Sequence, residues 1–200
     1  MYSNQAIAAL KLFWSVYMLT AVVFQLVSDR AITHYIEVMT QVCINITGSS
    51  LLILTVVDSH ETIATIWWPY QIFWSLLLLE FWFYYAHRLV HHRWFYSVIH
   101  KKHHRFKEPY AMTGVYCSLT EMILVNTMAV AIGPMMTGMS DYLLLIWVSV
   151  IAANVTVSHS GLVIPYISSG THDVHHQKLN KNFGILGILD WIHGTYQAPF

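Results

Sequence analysis

Ten histidines in this 200-residue chain are spaced as metal ligands are spaced. His87, His91, His92, His100, His103 and His104 lie in one stretch and make up six of the thirteen histidines. His172, His175 and His176 form a second group in Thr-His-Asp-Val-His-His, and His159 stands alone between the two. On a helix, residues three and four apart share a face. His87 and His91 are four apart, and His100/His103/His104 and His172/His175/His176 repeat the same i, i+3, i+4 pattern. Each segment is therefore expected to bring two or three imidazoles to one point. Neutral imidazole ligates iron, zinc, copper and nickel. A single ion takes about four to six ligands, so ten imidazoles point to two metals. A loose histidine tract would not keep the same spacing twice, nor sit at the end of an apolar span. His34, His60 and His193 stand alone and are assigned nothing. His60-Glu61 begins like the zinc-protease pattern, but Ala64 stands where its second histidine belongs.

The elements that must position these histidines read as membrane helices. Hydrophobic residues are 56% and charged residues 10% of the chain, against about 25% charged in soluble domains. Apolar spans run from about Ile7 to Val27, Val38 to Val57, Ile66 to Ala86, Val115 to Met136 and Tyr142 to Ser158. Most have about 20 residues, enough to cross the hydrocarbon core. The third has aromatics at both ends, Trp67, Trp68 and Tyr70, then Trp82, Tyr84 and Tyr85, the pattern of interfacial belts. Gly48-Ser49-Ser50 in the second suits close helix packing. The expected fold is all-α: a multi-span helical membrane protein of four to five apolar spans with a cytosolic histidine-rich cap. Residues 1–65 read as an N-terminal transmembrane hairpin and residues 66–200 as the domain that holds the dimetal site. The fourth and fifth spans turn at Gly133-Pro134, Gly138 and Asp141, either as a full hairpin or as a re-entrant one. A hairpin returns the chain to the side it left, which brings His159 and then His172 to His176 to the face that holds His87 to His104.

Formal net charge is zero, but eight of the ten Lys and Arg flank the histidines: Arg88, Arg93, Lys101, Lys102, Arg105, Lys107, Lys178 and Lys181. Beside apolar spans such a patch marks the cytoplasmic face rather than a nucleic-acid partner. The loop Asp58 to Glu61 carries no Lys or Arg, and Arg30 lies in the loop between the first two spans. Both agree with an external N-terminus and cytosolic histidines. No cleaved signal peptide is expected. Cys43 and Cys117 fit neither a disulfide framework nor a zinc ribbon and read as reduced thiols. Asn45-Ile-Thr47 and Asn154-Val-Thr156 match the glycosylation pattern but fall inside apolar spans. Glu80 lies seven residues before His87, and a carboxylate in a span is a functional candidate by default. It is expected to accept a hydrogen bond from a ligand imidazole. Asp173 is a weaker candidate for orienting a ligand from within its motif, and Glu121 for capping or pairing with a basic residue.

Taken together, His87-x3-His91-His92, His100-x2-His103-His104, His159 in Ser158-His159-Ser160-Gly161, and His172-x2-His175-His176 resemble the membrane fatty acid hydroxylase superfamily. Sterol C4-methyl oxidases, cholesterol 25-hydroxylase, sterol C5-desaturases and fatty acid 2-hydroxylases belong to it. The resemblance covers about Trp67 to Pro199. Phe83-Tyr84-Tyr85-Ala86-His87-Arg88 is similar to the family's aromatic lead into its first motif. Asn180 to Phe183, Leu189-Asp190-Trp191 and Gly194-Thr195 are similar to the tail of the sterol-acting members, with Asp190 and Trp191 in reversed order. The resemblance implies an integral enzyme of the endoplasmic reticulum membrane with two iron ions, zinc being possible in isolated protein. It implies O2 activation and oxygen insertion into a lipid C–H bond. It also implies electrons from NAD(P)H through a separate cytochrome b5 or reductase. By motif, the implied ligands are His87, His91, His92, His100, His103, His104, His159, His172, His175 and His176.

The expected substrate is a membrane lipid, a sterol first, and the expected reaction hydroxylation. A fatty acid or ether-lipid hydroxylase or desaturase is the second enzyme reading. A non-catalytic membrane protein with a structural zinc site is a rival of another class. A metal transporter is a further one, although transporters hold their ligands at mid-membrane and these histidines sit at span ends.

Overall fold

Apolar segments buried in lipid must satisfy their own backbone hydrogen bonds, and the helix is the simplest way to do so. The computed structural model describes residues 4–56, 65–165 and 167–199. Their helices are α1 (Asn4–Val27), α2 (Tyr35–Val56), α3 (Trp68–Val90), α4 (Leu119–Glu121), α5 (Met128–Thr137), α6 (Asp141–Ser158), α7 (Thr171–Lys178) and α8 (Ile188–Ile192). A π-helical segment, Met122–Thr127, joins α4 to α5, so that Leu119–Thr137 is one continuous rod. Among the described residues the one β-type feature is an isolated bridge between Ile164 and Ser168. The stretch Asp58 to Glu61 lies outside the described residues.

Among the described residues, three helical stretches are long and apolar enough to cross a membrane: Leu10–Val27, Leu119–Thr137 and Asp141–Ser158. With 22 and 23 residues, α2 and α3 are each about 33–35 Å long, also the thickness of a bilayer core. Five of their polar residues, Asn45, Ser49, Gln71, Ser75 and Glu80, are buried. The outer surface is the reverse of a soluble protein's, with Leu26, Ile36 and Ile66 exposed to 80%, 82% and 80%. This is a helical membrane protein.

Two apolar cores hold it together. One joins Tyr17 and Ala21 of α1, Val38, Val42 and Ile46 of α2, and the segment from Tyr110 to Met122. The other joins Leu79 of α3, Ala129 of α5, and Leu143, Trp147 and Ile151 of α6. Polar ties cross between helices where the backbone leaves a carbonyl free. Pro134 in α5 has no N–H for the carbonyl four residues back. That carbonyl, of Val130, accepts instead from the Trp147 indole of α6 at 3.0 Å. In the π segment the Leu124 carbonyl accepts from the Trp82 indole of α3 at 2.9 Å. Asn45 of α2 donates to the carbonyls of Val115 and Cys117 at 2.8 and 3.0 Å, so this glycosylation-pattern asparagine is a buried strut. Both cysteines are free.

The rod ends at Gly138, whose φ of 60° is a left-handed conformation that glycine adopts without strain. The chain then reverses into α6. The hairpin therefore runs as expected: α3 and α6 both finish at the histidine end, where α4 begins. The loop after α1 is at this end too, since Ser28 donates to the Ser160 carbonyl at 2.6 Å.

Helices α3 and α5 touch backbone to backbone. A Cβ on Gly133 would lie 2.5 Å from the Ser75 Cα. Gly133→Ala is expected to destabilise the bundle by about 1–3 kcal/mol through overpacking. Thermal unfolding in detergent checks this, and an unchanged midpoint would contradict the close approach.

Candidate metal centre

The histidines come from four places. His87 sits in the last turn of α3 and His91 caps that helix. His100 ends a π turn, Tyr96–His100, and His103 and His104 begin a short 3-10 turn, His103–Arg105. His159 caps α6, and His172, His175 and His176 lie on α7. Nine of them converge in two groups whose ligand atoms lie within 4.8 Å of one another: His87, His91, His100, His104 and His175, and His103, His159, His172 and His176.

The i, i+3, i+4 triplets were expected to serve one point each, and the structure divides them. Pairs four apart stay together, His87 with His91, His100 with His104, and His172 with His176. The residue three along crosses over: His103 goes to the four-histidine cluster and His175 to the five-histidine cluster. Residues i+3 and i+4 point about 100° apart around a helix axis, so one triplet can face two centres. His92 joins neither cluster. Helix α3 ends at Val90, and His92 is exposed, its ring 4.9 Å from that of Trp94.

The donor set fits cations. In the five-histidine cluster, His87 Nε2 is 3.1 Å from His100 Nε2, and His91 Nε2 is 2.9, 3.1 and 3.2 Å from those of His100, His175 and His104. His104 Nε2 is 2.8 and 3.2 Å from those of His100 and His175. Metal–imidazole bonds of about 2.1 Å set neighbouring donors of an octahedron about 3.0 Å apart. In the four-histidine cluster, His172 Nε2 is 2.9 Å from His159 Nε2 and 3.1 Å from His176 Nε2. His159 Nδ1 faces the Val155 carbonyl at 2.8 Å and His176 Nδ1 faces the Phe106 carbonyl at 2.9 Å. Each must carry its proton on Nδ1 to make that bond, which leaves its Nε2 a bare lone pair. A neutral His172 can donate from Nε2 to only one of them. A bound cation resolves the remaining repulsion.

The surroundings keep the rings neutral. Burial pushes His103 down to about 3, and it holds His172, His175 and His176 well below the usual imidazole range. Each therefore offers a lone pair at neutral pH. The C-terminal ends of α3 and α6 meet here, and their partial negative charge favours a cation.

Backbone carbonyls orient four of the nine rings, and sequence could not show them. His87 Nδ1 donates to Phe183 O at 2.8 Å and His175 Nδ1 to Lys181 O at 2.6 Å. The loop that carries those carbonyls is held by two buried carboxylates. Glu80 accepts from the backbone N–H of Ile185, Leu186 and Leu189 at 2.9, 2.7 and 3.1 Å. Asp190 accepts from those of Phe183 and Gly184 at 2.8 and 2.6 Å and from the Thr195 hydroxyl at 2.7 Å. Glu80 thus makes no bond to an imidazole, contrary to expectation: it reaches the site through the loop. Asp173 does not orient a histidine either, because its carboxylate turns to Arg30, 2.8 Å away. Glu121 pairs with no Lys or Arg. Its Oε1 lies 2.9 Å from His100 Nδ1, a close contact without hydrogen-bond alignment. Asp190, quoted above only as part of a tail pattern, emerges as a structural centre of the loop. The reversed order of Asp190 and Trp191 leaves that carboxylate fully engaged.

With this geometry in place, comparison with known proteins gives the class. Residues 72–195 match the fatty acid hydroxylase family, and the chain belongs to it. It is similar to fatty acid hydroxylase domain-containing protein 2 of Homo sapiens, 40% identical over 120 residues that make up 60% of this chain and 36% of that protein. It is 28% identical over 138 residues to methylsterol monooxygenase 2-2 of Arabidopsis thaliana, covering 62% of this chain and 52% of that one. It is 29% identical over 143 residues to the sphingolipid C4-hydroxylase sur2 of Schizosaccharomyces pombe, covering 65% and 49%. The chain thus spans between about a third and a half of these relatives. No solved structure matches it.

Glu80→Gln puts a donor where backbone N–H groups need an acceptor. Amide exchange at Ile185, Leu186 and Leu189 is expected to quicken at least about tenfold, the equivalent of roughly 1.4 kcal/mol per lost charged hydrogen bond. Unchanged protection there would refute the clamp.

Proposed function

We propose that this chain is a membrane di-iron oxygenase that hydroxylates a lipid C–H bond, a sterol being the preferred substrate class. The observation that carries the reading is the convergence of nine imidazoles, seven buried and two half-buried, at the end of an apolar helical bundle. Five would hold one ion and four the other, with His92 outside both. Iron, when bound, supplies activation of O2. One oxygen atom enters the lipid and the other leaves as water, and two electrons and two protons balance the reaction. NAD(P)H provides the electrons through a separate donor, cytochrome b5 or a reductase.

The chain's own residues fix and shield the site. Glu80 and Asp190 hold the loop that orients His87 and His175. The bond from His176 of α7 to the Phe106 carbonyl ties the two segments together, and His103 and His176 are buried there. Residues 66–200 carry the chemistry, and the helices of residues 1–65 anchor them. The apolar exterior admits substrate from the bilayer, and the endoplasmic reticulum membrane with the histidines toward the cytosol is the proposed location. The flanking basic residues favour that orientation. A methylsterol monooxygenase among the relatives supports the sterol reading. A sphingolipid C4-hydroxylase supports a second one, hydroxylation of a long-chain lipid by the same centre.

The test is product formation by detergent-purified, iron-loaded protein with NADPH, reductase and cytochrome b5, offered sterol or sphingoid substrate. O2 uptake that rises with sterol and yields a hydroxylated product is expected. His175→Ala should lower turnover at least about 100-fold, beyond the loss typical of outer partners of a metal ligand. His92→Ala should stay within about twofold of the parent, as expected of an exposed residue that touches no ligand. Lipid-independent O2 uptake, or a chain that functions with zinc alone, would favour the structural-site reading.

A further inference from the structure

The two clusters differ in what stands behind the imidazoles. Among the described residues, Glu121 is the carboxylate that touches a ring of either cluster, through His100. It is 2% exposed, and its Oε2 has no hydrogen-bond partner. A lone carboxylate inside an apolar span is expensive unless something compensates it. With His100 Nε2 turned inward to within 3.1 Å of His87, His91 and His104, a bound ion leaves the His100 proton on Nδ1. Glu121 Oε1, 2.9 Å away but not aligned for a hydrogen bond, is the carboxylate oxygen beside it.

The placement is built rather than incidental. Ser118 caps α4 by accepting from the Glu121 N–H at 3.1 Å, and its own hydroxyl donates at 2.7 Å to the carbonyl of Ile99, the neighbour of His100. One serine therefore ties the helix that carries Glu121 to the turn that carries His100. The π segment starts at the next residue, Met122, and π segments recur at functional sites. Behind the four-histidine cluster, among the described residues, stand neutral acceptors such as the carbonyls of Val155 and Phe106 and the Ser158 hydroxyl. The nearby Asp173 is occupied by Arg30.

The geometry points to Glu121 as a positioning residue that gives the five-histidine cluster an anionic partner, so that this cluster binds its ion more tightly and fills first. A carboxylate that accepts from a ligand imidazole fixes its tautomer and raises its basicity. One negative charge also offsets part of the charge that a buried cation brings among otherwise neutral ligands. This inference rests on the metal-site reading above and adds an order of filling.

The experiment titrates the metal-free full chain in detergent with cobalt(II) and counts bound ions after equilibrium dialysis. Two steps are expected for the parent. In Glu121→Gln the tighter step should weaken about 10- to 100-fold, while the weaker step stays in place and reports that the fold is intact. An unmoved tighter step would overturn the inference, and so would equal weakening of both steps, which marks a general structural role. A parent chain that takes up no cobalt would overturn the metal reading itself.

Discussion

Lone pairs that face one another are the constraint on which this structure turns. Carbonyls fix the Nδ1 protons of His87, His159, His175 and His176, so their Nε2 atoms point inward bare. Neighbouring Nε2 atoms in the five-histidine cluster stand 2.8–3.2 Å apart. Each neutral ring can donate from Nε2 to one neighbour at most, so part of the arrangement stays repulsive until a cation sits among the donors. Metal binding would then be coupled to the assembly of these ligands, because the free energy of the site is realised only when the donors gather around an ion.

Much of the fold serves to hold the donors against that repulsion. Two helices end at the site, so His91 and His159 sit at their caps. A 3-10 and π connection between them places His100, His103 and His104 without the regular spacing of an α-helix. The tail then folds over, with Glu80 and Asp190 each gathering backbone donors on either side of Gly184. A Cβ at Gly184 would lie 2.7 Å from Glu80 Oε1 and 2.9 Å from Asp190 Oδ2, which leaves room there for glycine alone. On the other side, the Arg30 guanidinium joins Asp173 to the Pro109 carbonyl and lies against Gly161. A residue of the first interhelical loop thus braces α7 from outside.

The sequence carried the architecture well because its signals were strong. Apolar runs of membrane length, a Gly-Pro and Gly turn, and histidines at span ends led to the hairpin that brings His159 to its partners. Side-chain identity alone did not determine which histidine joins which centre. The residues at i+3 and i+4 in a triplet point in different directions, so His103 and His175 changed sides. His92 was implied as a ligand by the family motif, but the helix stops two residues before it and the ring is exposed. Glu80 was legible as important and not as a loop clamp, since its partners are backbone amides from about a hundred residues away along the chain. The carbonyls of Phe183, Lys181, Phe106 and Val155 bear no sequence signature at all. Family membership supplied the class of chemistry, while the identity of the lipid depends on surfaces that the ligand motifs do not encode.

X-ray absorption on the metal-loaded protein, with metal content measured on the same sample, tests the central claim most directly. Two all-imidazole centres predict two ions per chain and a first shell of nitrogen at about 2.0–2.2 Å with the outer scattering of imidazole rings. One ion per chain, or sulfur near 2.3 Å, would contradict the account, because neither Cys43 nor Cys117 belongs to either cluster.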